Sequence, residues 1–212
     1  MKKILTSLAL VSTLAVFGQK VNYGIKGGVN LSSLNVKTNL NFGKATLNST
    51  SRTGFYVGFS SEFPLSAASD KLFGQIEALY IQNGGKLSIV YPRYDSYGDI
   101  TSYKTFDMES RIQQINMPIV LKYEIVQGLR LNAGGYLGFI LSAETRDDDD
   151  INWSKDDGYK TVDAGLIFGT EYNFPQGLFV DARYNLGLAN ISDINLVPAN
   201  NRGFQFGLGY KF

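Results

Sequence analysis

The sequence has no cysteine and no histidine. Without cysteine there is no disulfide, no thiolate nucleophile and no thiolate metal site. Without histidine the chain lacks the commonest general base near neutral pH and the commonest metal ligand. Ser–His and Cys–His hydrolase machinery therefore cannot be assembled from it. A dominant charge is missing as well: 20 Lys and Arg stand against 19 Asp and Glu, a formal net charge of +1. That balance leaves no electrostatic footprint for nucleic acid. No helical period of useful length appears, and past the first eighteen residues no apolar run is long enough to cross a membrane as a helix. Membrane residence would have to come from strands.

The first residues have a purpose of their own. "MKK" is a basic start and "ILTSLALVSTLAVFG" an apolar stretch of secretory-signal length. It is short of the roughly 20 apolar residues of a spanning helix, and polar "QKVNYG" follows at once. The expected division is a signal peptide at 1–18, cut after Gly18, and a single domain at 19–212.

What the rest does have is alternation. In "GFQFGLGYKF", Phe204, Phe206, Leu208, Tyr210 and Phe212 share one face; Gly203, Gln205, Gly207, Gly209 and Lys211 share the other. The same period runs through "VNYGIKGGVNL", "RTGFYVGFSSEF", "LFGQIEALYIQ", "QINMPIVLKYEI", "LRLNAGGYLGFIL", "TVDAGLIFGTEYNF" and "LFVDARYNLGL". That makes eight strands, with Leu79 and Ile81 blurring the pattern in the third. Connections alternate in length. "PLSAASDK", "IVQG" and "PQG" are short, whereas residues 32–50, 83–110, 142–160 and 189–201 read as long loops.

Two barrels fit: a membrane-spanning up-and-down barrel and a soluble lipocalin-like one. Three features favour the membrane. The polar face is rich in glycine, which an exposed strand face avoids but a narrow lumen needs beside Tyr56, Tyr136 and Arg183. Tyr23, Phe63, Tyr123, Phe174, Tyr210 and Phe212 gather on the apolar face at the short-turn ends, as an interfacial girdle would. A secretory signal precedes them. The expected fold is all-β, an eight-stranded antiparallel up-and-down transmembrane barrel.

The stretches "GIKGGVNLS", "IEALYIQNGGK", "INMPIVLKYEI" and "LFVDARYNLGLANI" resemble the PorT-like outer-membrane β-barrel proteins, also described as an OmpA-like or "porin family" barrel domain. The resemblance covers essentially the whole mature chain. It implies residence in the outer membrane and a link to protein secretion. The tail also resembles the signal read by the barrel assembly machinery, carried here by Gln205, Gly207, Tyr210 and Phe212; the other reading is that Phe212 completes the girdle.

The candidate site is the polar face. Lys26, Glu77, Arg130, Asp163, Glu171, Asp181 and Arg183 are expected to interleave as a lumen plug, with Lys26, Glu77 and Arg183 at mid-depth. Glu124, Arg130, Glu171 and Asp181 are expected near the short turns. An internal ion or substrate site is the alternative. The acidic run Asp147–Asp150, with Asp156 and Asp157, has ligands suited to a cation but lacks the glycine and terminal glutamate of a calcium loop, so a solvated loop tip is the plainer reading. Trp153 and Tyr159 beside it suit adhesion or rest on lipid. Neither catalysis nor a cofactor is expected. Expected partners are outer-membrane lipid, the assembly machinery and a secretion-system or surface partner, with both termini in the periplasm. A passive small-solute channel and a soluble ligand-binding barrel are the alternatives.

Overall fold

The computed structural model describes residues 21–40, 43–65, 70–97, 99–147, 152–194 and 198–212. The expected signal peptide lies outside them. Ten strands follow in chain order: β1 (Asn22–Leu40), β2 (Gly43–Asn48), β3 (Thr50–Pro64), β4 (Leu72–Tyr94), β5 (Ile100–Val126), β6 (Leu129–Asp147), β7 (Ser154–Lys155), β8 (Val162–Asn173), β9 (Leu178–Gly187) and β10 (Ala199–Lys211). Eight of them form a closed antiparallel ring, β1-β3-β4-β5-β6-β8-β9-β10, and β10 pairs back onto β1. The closing seam runs from Gly24↔Lys211 to Val36↔Ala199. The remaining two, β2 and β7, are short additions at the long-loop end, on β1 and β6.

Alternation sets which face is which. Ile25, Val29, Val57, Phe59, Ile119, Leu121, Leu131, Leu137, Phe168, Val180, Phe206 and Leu208 are all exposed on the outer wall. Lys26, Glu77, Lys122, Glu171 and Arg183 are buried inside. A water-soluble barrel would invert that arrangement, so the outer band is the lipid-facing surface of a membrane-spanning barrel. Tyr23, Tyr123, Phe174, Tyr210 and Phe212 sit exposed at the short-turn rim. The β5–β6 and β8–β9 turns there are tight, and Gly128 (φ +83°) and Gly177 (φ +90°) occupy backbone that a side chain would strain.

The long-loop end differs from the expectation. Residues 83–110 are not a loop: β4 and β5 continue as a hairpin to Tyr94 and Ile100. Past Leu87↔Met108 it carries only its own two strands, rising roughly 23 Å at the usual strand rise. The stretch 142–160 is likewise partly regular, with β6 running to Asp147 and β7 paired onto it, and residues 32–50 hold the β1–β2 hairpin. Above the lipid band both faces of a ribbon meet water, so apolar alternation no longer marks a strand.

One proline falls within the barrel wall. Pro118 pairs Tyr136 on the β6 side, while the β4–β5 ladder skips from Ile76↔Ile119 to Leu79↔Asn116. A missing N–H interrupts the ladder on one side only.

Candidate functional site: the filled lumen

The inward side chains form layers. At the short-turn end Lys122 Nζ lies 2.9 Å from Glu62 and 2.5 Å from Glu171. Lys211 Nζ reaches the same two acids at 2.9 and 2.7 Å and donates to Asn173 Oδ1 at 2.7 Å. Arg130 contacts Glu62 at 2.7 Å and Glu124 at 2.9 Å, and its guanidinium lies over the Phe73 ring. Three acids therefore meet three bases drawn from β3, β5, β6, β8 and β10.

One layer further in, Lys26 donates to Asp181 at 2.7 Å and stands 3.8 Å from Glu77. Arg183 Nη1 donates to Glu77 at 2.8 Å. Its Nη2 and Nε lie 2.7 Å from Glu77 and 2.9 Å from Asp181, ion-pair contacts whose N–H vectors miss the hydrogen-bond axis. Since β4 and β9 stand on opposite sides of the ring, the Glu77–Arg183 pair spans the lumen. All four side chains have no solvent exposure. Tyr56 OH donates to Asp181 at 3.1 Å, and Gln75 donates to Glu77.

A third layer is nearly uncharged. Tyr136 OH donates to Asp163 at 3.1 Å, and Gln114 Nε2 donates to Asn116 at 2.5 Å and to Asp163 at 3.4 Å. Asn30 joins Asn83 at 2.8 Å. Above it an apolar cap is built from Leu34, Ile112, Ala143, Ile191 and Ala199, with Val36, Ile140 and Tyr159 against it.

Glycines set the space for these groups. A Cβ on Gly207 would lie 1.9 Å from Tyr56 Oη, one on Gly165 2.7 Å from the Tyr136 ring and one on Gly169 2.8 Å from Arg183 Cγ. Gly207 thus has a packing reason to be glycine. Its neighbours in the tail divide by face: Gln205 points into the lumen, whereas Tyr210 and Phe212 are exposed outside. Phe212 N donates to Tyr23 O at 2.8 Å, tying the end of the chain to the start of β1.

All seven sequence-selected lumen residues point inward. Asp181 sits with Lys26 and Arg183 at mid-depth rather than at the short-turn rim, because stagger between tilted strands shifts β9 against β1. Among the described residues Asp163 joins no ion pair. Glu62, Lys122 and Lys211 complete the lower layer and escaped selection, although each shares the polar face of its strand. Phe179 was missed too: it is fully buried inside, where Gly209 leaves room for its ring.

At the loop end Trp153, Asp156, Asp157 and Tyr159 each have partners. Trp153 lies within 4.3 Å of Arg111, 4.9 Å of Arg146 and 5.9 Å of Arg52, ring centroid to guanidinium carbon. Glu109 and Glu144 hold those arginines. Tyr159 packs on the apolar cap, so neither aromatic rests on lipid as a free side chain. Asp156 accepts from Thr145 and from Gly158 N, both at 2.8 Å, and Asp157 pairs Lys155. Asp148, Asp149 and Asp150 lie outside the described residues. Among the described residues no group of three acidic side chains is placed to hold a metal ion.

The model of a protein family described as outer membrane protein β-barrel domain matches residues 17–193. The chain belongs to that family, whose place is the outer membrane. Among solved structures it is similar to Neisserial surface protein A (14% identity, 92% of this chain and 100% of that one, TM-score 0.48). It is also similar to Ail of Yersinia pestis, solved with the heparin analogue sucrose octasulfate (16% identity, 91% and 99%, TM-score 0.45). A third is the outer membrane protease OmpT of Escherichia coli (12% identity, 92% and 97%, TM-score 0.41). None of the curated proteins matches.

Proposed function

We propose that this outer-membrane barrel is a sealed, non-catalytic anchor that presents its loop-end hairpins to a partner outside the cell. The observation that carries the reading is the contrast between inside and top. Inside, charged groups from opposite staves meet one another at two depths, beneath an apolar cap. At the top, the β4–β5 hairpin stands clear with Val90, Tyr94, Tyr97, Ile100 and Tyr103 exposed. Asp95 Oδ1 accepts from Tyr97 N at 2.8 Å and Asp99 N at 3.0 Å, which fixes the turn and leaves Tyr97 92% exposed. Rigid tyrosines give contact area at low entropic cost.

In this reading residues 1–18 are a cleaved signal and both mature termini face the periplasm, since the ring holds an even number of staves. The long hairpins then face outward. Gln205, Gly207, Tyr210 and Phe212 are the address read by the assembly machinery. The PorT-like resemblance makes a secretion-system component a candidate partner, as an accessory role. Crosslinking on intact cells through a photoreactive residue at Tyr97, followed by pull-down, tests the reading. A discrete adduct is expected at position 97, with none at lipid-facing Leu121. Adducts only after the outer membrane is opened would reverse the orientation and sink it.

A further inference from the structure

The lumen charges balance layer by layer until Asp163. Glu62, Glu77, Glu124, Glu171 and Asp181 each have a lysine or arginine within ion-pair distance. Asp163 is 0% exposed, and among the described residues no cationic nitrogen lies within that distance. Its contacts are neutral: Tyr136 OH and Gln114 Nε2 on Oδ2, with the Ala164 backbone N–H also turned toward the carboxyl. Asp163 Oδ1 has no hydrogen-bond partner among the described residues, nor has the fully buried Gln114 Oε1.

A buried carboxylate without a counter-charge is costly, and the cost falls when a positive ligand joins it. An asparagine at 163 would accept from Tyr136 and Gln114 equally well and leave no charge. The surrounding side chains are the Tyr136 phenol and the amides of Gln114 and Asn116, all uncharged, so the one carboxylate stands out by its charge alone. Gly138, opposite Asp163 in the ladder, keeps the space tight: a Cβ there would lie 2.5 Å from Asn116 Oδ1 and 3.0 Å from Gln114 Nε2.

We propose that Asp163, with amide oxygen from Gln114 and Asn116, holds one small hard monovalent cation of the sodium class inside the lumen, between the charged layers and the apolar cap. Oxygen donors suit a hard cation. A single carboxylate neutralises a monovalent ion and falls short of the acids a divalent site gathers. The bound ion completes the charge balance of the plug.

The test uses the full mature barrel folded in zwitterionic detergent. Its urea midpoint is followed as sodium chloride replaces N-methylglucamine chloride at constant ionic strength and pH, and retention of radioactive sodium is counted on the folded barrel. The midpoint should rise with sodium and saturate, as linkage requires for a ligand of the native state, with one ion retained per chain. Asp163→Asn should retain no sodium, show no sodium dependence and match or exceed the wild type in sodium-free buffer. Gln114→Leu should need at least tenfold more sodium for the same shift. A wild type indifferent to sodium overturns the proposal, as does an Asp163→Asn barrel that keeps the dependence. A midpoint that moves with pH but not with sodium also overturns it, because a proton then occupies Asp163. Should Asp163→Asn fail to fold, sodium retention by the wild type decides alone.

Discussion

The two ends of the lumen are closed by opposite chemistry. At the short-turn end the filling is ionic, and every group that makes it sits on a stave of the barrel wall. At the long-loop end the lumen is filled by an apolar cap, with the Arg52, Arg111 and Arg146 pairs around Trp153 at the same end, and one fully buried member of that cap, Ile191, comes from the connection between β9 and β10. Besides its packing in the cap, Ile191 is held by two backbone bonds, accepting from Lys160 N at 2.8 Å and donating to Ala199 O at 2.9 Å. Groups fixed to staves are immobilised by the ladder itself. Leu34, Ile112, Ala143 and Ala199 of the cap also sit on staves, so it is the Ile191 segment that has an opening equilibrium of its own, and the mouth should open locally there while the charged layers stay shut.

Four substitutions break or sharpen that contrast. Arg183→Leu should do most damage, since it leaves Glu77 and Asp181 sharing Lys26 alone. Losing one partner of a buried network costs about 3–5 kcal/mol, read as a lower urea midpoint in lipid vesicles. Adding Glu77→Gln restores balance and should recover much of the loss; an equal loss in the double variant would mean that the layer is wet. Ile191→Ala opens a cavity in the cap at about 2–5 kcal/mol. Its effect should be local: faster amide exchange over residues 188–194 with the staves unchanged. Uniformly faster exchange would show that cap and staves open together.

The third variant tests packing without charge. Gly207→Ala drives a methyl into Tyr56 and should cost about 1–3 kcal/mol as an overpacked site. Combined with Tyr56→Phe, it should cost less than the two single variants summed; strict additivity would place the strain elsewhere. The smallest intrinsic effect belongs to Phe212→Lys. A lysine on the lipid face near the interface costs about 0–1 kcal/mol. Folded protein in the membrane should nevertheless fall well beyond what that energy gives, if the tail is an address. An unchanged amount would leave Phe212 as a girdle residue only.

Much of the membrane-embedded part was legible because lipid enforces the period of two. The eight staves, their faces and the inward set from Lys26 to Arg183 follow from alternation. Even the blurred pair Leu79 and Ile81 obeys it: both are buried inside, packed with Tyr56. The β4–β5 hairpin was hidden because it meets water on both faces, as the exposed Ser88, Val90, Arg93 and Tyr94 and residues 101–105 show, so Leu87, Val90 and Pro92 show no period that a stave would. Glu62 and Lys122 were readable by parity but lay near strand ends, and Lys211 was overshadowed by the tail motif around it. No local pattern could show that Asp163 stands alone, since pairing in the lumen joins residues as far apart as Glu77 and Arg183. The cap was equally hidden, as Ile191 reaches Leu34 and Ile112 only once the ring has closed.

Single-barrel conductance in a planar bilayer tests the sealed lumen most directly. With Glu77–Arg183 spanning the ring and the lower layer of three acids and three bases beneath it, the wild-type barrel should give no stable current, and Ile191→Ala should give none either, because the charged layers remain. A stable, ion-selective current through the wild-type barrel would contradict the account and make the protein a small-solute channel.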